Sequence, residues 1–221
     1  MNTTVVLFPG LGADHRLFRF QHAVLPDLVI PPWPATAAND SLASFAGRFV
    51  DSIPKVDGLY LGGSSFGGMV ALELASLVQP KAVILIGSCT SPSAIATLVL
   101  HMRSLAAALP VSAFHPRRWS LPFLLPKFGR LTREQRELFW SMASATPAAF
   151  LKWGVNAILS WRPTPVPVPV HHIHGSDDRL IPLRLVKPDR IVPGGGHLLT
   201  LTHPQQVNAF LVETVSERSY A

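Results

Sequence analysis

The sequence predicts an α/β protein: a mostly parallel sheet of about six strands, helices on both faces, and a helical cap inserted over residues 91–162. Three observations carry this. Short apolar runs closed by glycine or proline alternate with stretches that repeat apolar residues at helical spacing, the pattern of strand–helix–strand units. The runs are apolar on both faces, as strands of a covered parallel sheet must be. The alternation lapses within residues 91–162 and then resumes, so residues 1–90 and 163–221 form the sheet-bearing core.

Thr4 to Phe8 is a β-branched run closed by Pro9-Gly10, a buried strand. Asp14 is placed to cap a helix reaching Leu25, and Leu28 to Ile30 forms a second strand ended by Pro31-Pro32. Ser41 caps a helix whose Leu42, Phe45, Ala46, Phe49, Val50 and Ile53 make one apolar stripe. Gly58 to Leu61 is a third strand, Met69 to Val78 a helix apolar nearly all round, and Ala82 to Ile86 a wholly apolar fourth strand. In the insertion, Ser91-Pro92 opens a helix carrying Ile95, Leu98, Val99, Met102, Leu105 and Leu109. His115 to Arg130 is a Pro- and Arg-rich connector. Thr132 to Gln135 is a capping box, and Thr146-Pro147 opens a third helix with Phe150, Trp153 and Ile158. Val168 to Ile173 and Arg190 to Val192 are the last strands. Thr202-His-Pro204-Gln205 opens a terminal helix with Val207, Phe210 and Leu211.

Composition narrows the function. With 221 residues, 48% of them hydrophobic and 14% charged, the chain can bury one sizeable core and is not disordered. Its single cysteine, Cys89, excludes a disulfide framework and fits a reducing, cytoplasmic setting. The net charge of +6 is uneven: nine Lys/Arg face two Glu between Ser91 and Pro165, and the remainder is close to neutral. The basic character therefore belongs to the insertion, where Arg117-Arg118 beside Trp119 is the tightest cluster and a candidate anion site. It suits a substrate carboxylate, a CoA ester or an acyl carrier protein, and no nucleic-acid partner is expected. The N-terminus lacks the basic start and long apolar run of a signal peptide. The uncharged stretch Ala82 to Leu100 is broken at Gly87 to Ser93, so no membrane association is expected.

The strongest motif is Gly63-Ser64-Ser65-Phe66-Gly67, between a strand and a helix. A serine on so tight a turn is strained, and neighbouring chain leaves room only for glycine two residues before and after it. Shifting the frame to Ser64 would need glycine where Phe66 stands, so Ser65 is the candidate nucleophile. A serine needs a base, and the base an acid to orient it. Asp177 and Asp178 follow the fifth strand, and Gly194-Gly195-Gly196-His197 follows the sixth. Only His197 and His203 lie beyond those acids, and His203 falls in a helix-capping stretch. Other features have plainer readings. Asp14 is a helix cap, Cys89 a small buried hydrophobe, and His171-His172-x-His174 has no carboxylate or thiol cluster to complete a metal site. Gly10-Leu-Gly12 lacks the third glycine of a dinucleotide fingerprint, with His15 in its place, so no cofactor is expected.

Together, Phe8-Pro9-Gly10-Leu11-Gly12-Ala13-Asp14, the Ser65 elbow, His174-Gly-Ser-Asp-Asp-Arg-Leu-Ile-Pro182 and Gly195-Gly-His-Leu198 resemble the α/β-hydrolase superfamily from about residue 4 to 212. The family's acid motif, Gly-x-x-Asp followed by two apolar residues and proline, selects Asp178 over Asp177. The resemblance implies a Ser65–Asp178–His197 triad, with the Leu11 and Phe66 backbone N–H groups as oxyanion donors. Pro9 stands where many members have histidine, and the chain starts at what resembles their third strand, which implies a six-stranded minimal sheet. The expected function is a serine hydrolase that cleaves a small-molecule carboxylic ester or thioester. Acyl transfer or lyase chemistry on the same triad, and non-catalytic ligand binding on the same fold, are the alternatives.

Overall fold

The computed structural model describes residues 3–37, 39–95, 108–117 and 121–216, with the side chains of 121–124 excepted. Five strands form one all-parallel sheet in the order β1-β2-β3-β4-β5: Thr3–Phe8, Gly58–Ser64, Ala82–Ile86, Val170–Gly175 and Arg190–Val192. The helices are α1 Leu42–Gly47, α2 Phe66–Val78, α3 Leu121–Phe128, α4 Arg133–Ala145, α5 Ala148–Ser160, α6 Leu199–Thr202 and α7 Pro204–Ser216. Phe8 lies opposite Gly63, Ser64 opposite Ile86, and Ile86 opposite Ile173. The carboxyl ends of the four strands β1–β4 therefore stand level.

Alternation along the strands sorts the side chains into two cores. Val6, Phe8, Leu61 and Leu85 pack with α1 and α2. Val5, Leu7, Tyr60 and Ile84 pack on the other face with residues of α6 and α7. All five residues of β3 are buried, so each large side chain contributes about 1.5–3 kcal/mol relative to exposure.

The expected second strand is a correction. Residues 28–30 make only an isolated bridge, in which Val29 N–H donates to the Val5 carbonyl and the Val29 carbonyl accepts from Leu7 N–H. Pro31 and Pro32 have no N–H to extend that ladder, so the sheet has five strands plus a bridge. Asp14 does cap, accepting from Arg16 N–H, but the helix to Leu25 shrinks to a 3₁₀ turn at His15–Phe18. Leu17 and Phe18 are buried, but between Arg19 and Asp27 only Gln21 is, so that stretch buries no apolar stripe to hold a longer helix. The Ser41 stripe survives: Leu42, Phe45, Ala46, Phe49 and Ile53 are buried, although the α-helix stops at Gly47. Ser91-Pro92 opens a single turn to Ala94, and Leu98, Val99, Met102 and Leu105 lie outside the described residues. The connector from His115 to Arg130 contains α3, with Pro126 inside it. The capping box at Thr132 and Gln135 forms as expected. Among the described residues no helix is long and apolar enough to cross a membrane.

One buried carboxylate ties the returning insertion to the sheet. Glu73, in α2, is 2% exposed. Its Oε1 accepts from Trp161 Nε1 at 2.6 Å and Thr164 N–H at 3.0 Å, and its Oε2 accepts from Thr164 Oγ1 at 2.7 Å. Glu73→Leu is expected to destabilise the protein by about 3 kcal/mol, because it strands the buried Trp161 N–H and two half-buried Thr164 donors. Glu73→Gln should cost under about 1 kcal/mol: the amide oxygen keeps two acceptances and the NH₂ donates to the Thr164 hydroxyl. Urea unfolding of the two variants checks both figures.

Candidate active site

β2 ends at Ser64 and α2 starts at Phe66, leaving Ser65 as the whole turn, at φ 53° and ψ −118°. Few L-residues occupy that region. A Cβ on Gly63 would strike the Gly67 backbone, and one on Gly67 would strike the Phe8 and Pro9 carbonyls, so glycine is required at both positions. The Ser65 N–H donates to the Ile86 carbonyl at 3.1 Å. The Ser65 carbonyl accepts from the buried Ser88 Oγ at 2.6 Å. Ser88 follows the end of β3, and no sequence motif marks it.

The loops after β4 and β5 bring two further side chains to this turn. His197 Nε2 is 2.8 Å from Ser65 Oγ, and His197 Nδ1 is 2.7 Å from Asp178 Oδ2. A carboxylate accepts, so Nδ1 carries the proton and Nε2 is free to accept from the serine hydroxyl. Asp178 Oδ1 accepts from the Leu180 and Ile181 N–H groups at 2.8 and 2.9 Å. His197 is held through its own N–H, which donates to the Phe128 carbonyl of α3 at 3.0 Å. Burial works to raise the Asp178 carboxyl, yet adjacent His197, the Ile181 N–H and His174 together bring it below the ordinary carboxylate value.

Other sequence candidates stay outside this line. Asp177 is exposed and accepts from the neighbouring Ser176 hydroxyl at 2.8 Å. His203 caps α6 and lies 2.9 Å from the Thr202 hydroxyl. Cys89 is fully buried, and burial pushes its thiol up to about 12, so it stays protonated. Arg117 donates to the Ser112 carbonyl of its own loop, while Arg118 and Trp119 lie outside the described residues. Leu11 follows Gly10, which packs against Ser65, and Phe66 opens α2. Among the described residues the backbone N–H groups of both have no acceptor.

Against the oxyanion-side loop lies a cleft of about 440 Å³, walled by Ala13, Trp33, Met142, Pro147 and Phe150 among others. Among the described residues no Lys or Arg lines it, and its one charged side chain is Asp14. Trp33 packs tilted and Phe150 edge-on against Phe66, with ring centroids 5.4 and 6.4 Å from it, which connects the cleft wall to the residue after Ser65. Sequence patterning does not single out Trp33, whose place here depends on the Pro31-Pro32 break.

A twisted parallel sheet with Ser, Asp and His on the loops at its carboxyl edge defines a hydrolase architecture. The alpha/beta hydrolase family matches residues 5–210, and the chain belongs to that family. A thermophilic esterase from Thermogutta terrifontis superposes with a TM-score of 0.76 at 14% identity, over 98% of this chain and 90% of its own. The RedJ thioesterase of Streptomyces coelicolor gives 0.63 at 18% identity, over 95% and 89%. In sequence, the chain is 28% identical over 132 residues to the mitochondrial palmitoyl-protein thioesterase ABHD10 of Rattus norvegicus. It is 27% identical over 165 residues to a Synechocystis sp. protein named as a non-heme chloroperoxidase. The matches cover 59% and 66% of this chain but only 39% and 58% of those two relatives.

The site contains a second pair of imidazoles on β4 with a consequence for stability. Burial, reinforced by the adjacent His174, pushes His172 down from the ordinary 6.5 to about 4. Burial lowers His174 as well. Between pH 6.5 and 4 the unfolded chain binds a proton at His172 that the folded chain refuses. Stability is therefore intact above that window and declines as pH falls through it, by roughly 3 kcal/mol from His172. Urea midpoints measured from pH 7 to 4 should fall accordingly, and His172→Phe should flatten the decline.

Proposed function

We propose that the protein is a serine hydrolase that cleaves a carboxylic ester or thioester through an acyl-enzyme, with residues 91–162 acting as its cap. The observation that carries this reading is the unbroken hydrogen-bonded line from Ser65 Oγ through His197 to Asp178 at a strained strand-to-helix turn. His197 Nε2 takes the hydroxyl proton as Ser65 Oγ bonds to the acyl carbon. The carbonyl oxygen gains the negative charge and is met by the Leu11 and Phe66 N–H groups, aided by the positive end of α2. The tetrahedral species collapses, the acyl–oxygen or acyl–sulfur bond breaks, and the leaving group takes the proton from His197. Water repeats the sequence on the acyl-enzyme and frees the acid. Asp178 stays ionised throughout and stabilises the imidazolium between the two proton transfers. The aromatic cleft beside Phe66, with no basic side chain among the described residues that line it, suits an uncharged apolar acyl group. The esterase and thioesterase names of the similar proteins agree with this substrate class.

Ser65→Ala should lower kcat on p-nitrophenyl esters by at least ~10³ in a protein that remains folded. A fluorophosphonate should label Ser65, and labelling of Ser64 or Cys89 in its place would remove the assignment. Asp178→Asn should cost up to about 10⁴ in kcat, because the base loses its working tautomer. Asp177→Asn should stay within a few-fold of wild type. Equal, mild losses in the two variants would mean that the acid comes from elsewhere.

A further inference from the structure

Behind Asp178 lie two imidazoles that the proposed reaction does not use. His172 and His174 are 6% and 0% exposed and share a face of β4. His174 Nε2 is 2.8 Å from the Ile181 carbonyl and 3.5 Å from Asp178 Oδ2, the oxygen that receives His197. A carbonyl only accepts, so His174 Nε2 carries the proton and, in the neutral ring, Nδ1 is bare. Its partner there, 3.1 Å away, is His172 Nε2, which must donate. The donors therefore run one way, from His172 to His174 to the Ile181 carbonyl, with Asp178 Oδ2 at the flank of the last N–H. Ile181 returns its own N–H to Asp178 Oδ1 at 2.9 Å. The titratable groups facing the pair are Asp178 and His197 from the loops and Asp189, whose Oδ2 accepts the His172 backbone N–H at 2.7 Å.

This geometry constrains more than packing would. A positive charge on His174 would leave two N–H groups pointing at one another along the His172–His174 contact. A flipped tautomer would leave the buried Ile181 carbonyl without its donor, a loss that buried polar groups resist. One arrangement satisfies both His174 nitrogens and the Ile181 carbonyl, and in it the loop carrying Asp178 is pinned on both sides of the carboxylate.

We propose that His174, with its tautomer set by His172, is a positioning residue that aims Asp178 Oδ2 at His197. The proposal rests on the triad reading above, so its test reads the hydrogen bond and the activity separately. In His174→Leu, kcat on a p-nitrophenyl ester should fall at least about tenfold, with KM within about twofold of wild type. The far-downfield NMR resonance of the His197 Nδ1 proton should shift or broaden in the same variant. His174→Gln, whose amide can donate at similar reach, should recover most of both signals. His172→Phe keeps the bulk and removes the donor to His174, so it should give an intermediate loss, and it carries the comparison with His174→Gln if His174→Leu does not fold. Wild-type kcat with an unmoved resonance in folded His174→Leu or His172→Phe would overturn the proposal, as would equal loss in the Leu and Gln variants. The triad reading fails by a different sign, full activity in Ser65→Ala, and the response of the proton resonance to His174 still decides the positioning role in that case.

Discussion

Ser65 holds a backbone conformation that costs an L-residue on the order of 1–3 kcal/mol, and every neighbour of the turn acts to keep it there. Gly63 and Gly67 let β1 approach closely enough for the Phe8 and Pro9 carbonyls to close one side. Ile86 and Ser88, at the end of β3, take up the N–H and carbonyl on the other. The strain persists only if β1, β2 and β3 end at one level, which the parallel register provides. A parallel sheet must in turn be covered on both faces, so the two helical layers follow from the same requirement.

Much of this was legible in the sequence because it is local. Ala82–Ile86 and Arg190–Val192 match the structure residue for residue: the first is a continuous apolar run closed by Gly87, and the second is bounded by Pro188 and Pro193. The Ser65 turn and His197 were readable from glycine spacing and chain order, and the choice of Asp178 over Asp177 came from the family's acid motif; the three converge in space. Where the reading failed, long-range contacts outweighed local pattern. The apolar Leu28–Ile30 run looks like a strand, yet the prolines that close it also prevent the ladder from extending. Asp14 caps its turn, but beyond Phe18 the chain buries no apolar stripe to carry the helix further. Ser88, Glu73 and the His172–His174 pair had no motif to mark their roles. Each acts through a partner seven or more residues away, or through a buried neighbour whose identity only the fold decides.

α2 connects these features. Its first residue follows the nucleophile turn, and Glu73 in its middle holds Trp161 and Thr164, where the chain returns from the insertion. A second contact lies in the middle of the insertion's last helix. There a Cβ on Gly154 of α5 would collide with Leu11, the residue whose N–H faces the proposed oxyanion. The inserted helices are thus seated on the two elements that shape the turn, one by a buried carboxylate and one by close packing. A shift of these helices would be felt at Leu11 and at α2 together.

The distribution of buried polar groups sets the site apart from the rest of the core. A polar side chain taken out of water is unfavourable unless all of its hydrogen bonds are remade, and apolar packing of equal volume commonly gives a more stable protein. Yet Ser88, His172, His174, Asp178 and His197 are all at most 6% exposed and sit around one turn. Among the described residues the buried atoms without a partner are Gln21 Oε1, Trp33 Nε1, His171 Nε2 and Thr200 Oγ1. None of these belongs to that set. His171 makes the contrast within a single strand: it points away from its two neighbours and keeps an unpartnered nitrogen, while they spend theirs on the acid loop. A network satisfied this completely in a low-dielectric setting is rigid, because moving any member breaks a bond that no water replaces. Rigidity of that kind has little value for stability alone. It is what a carboxylate, an imidazole and a strained hydroxyl require if they are to be held within hydrogen-bond reach before a substrate arrives.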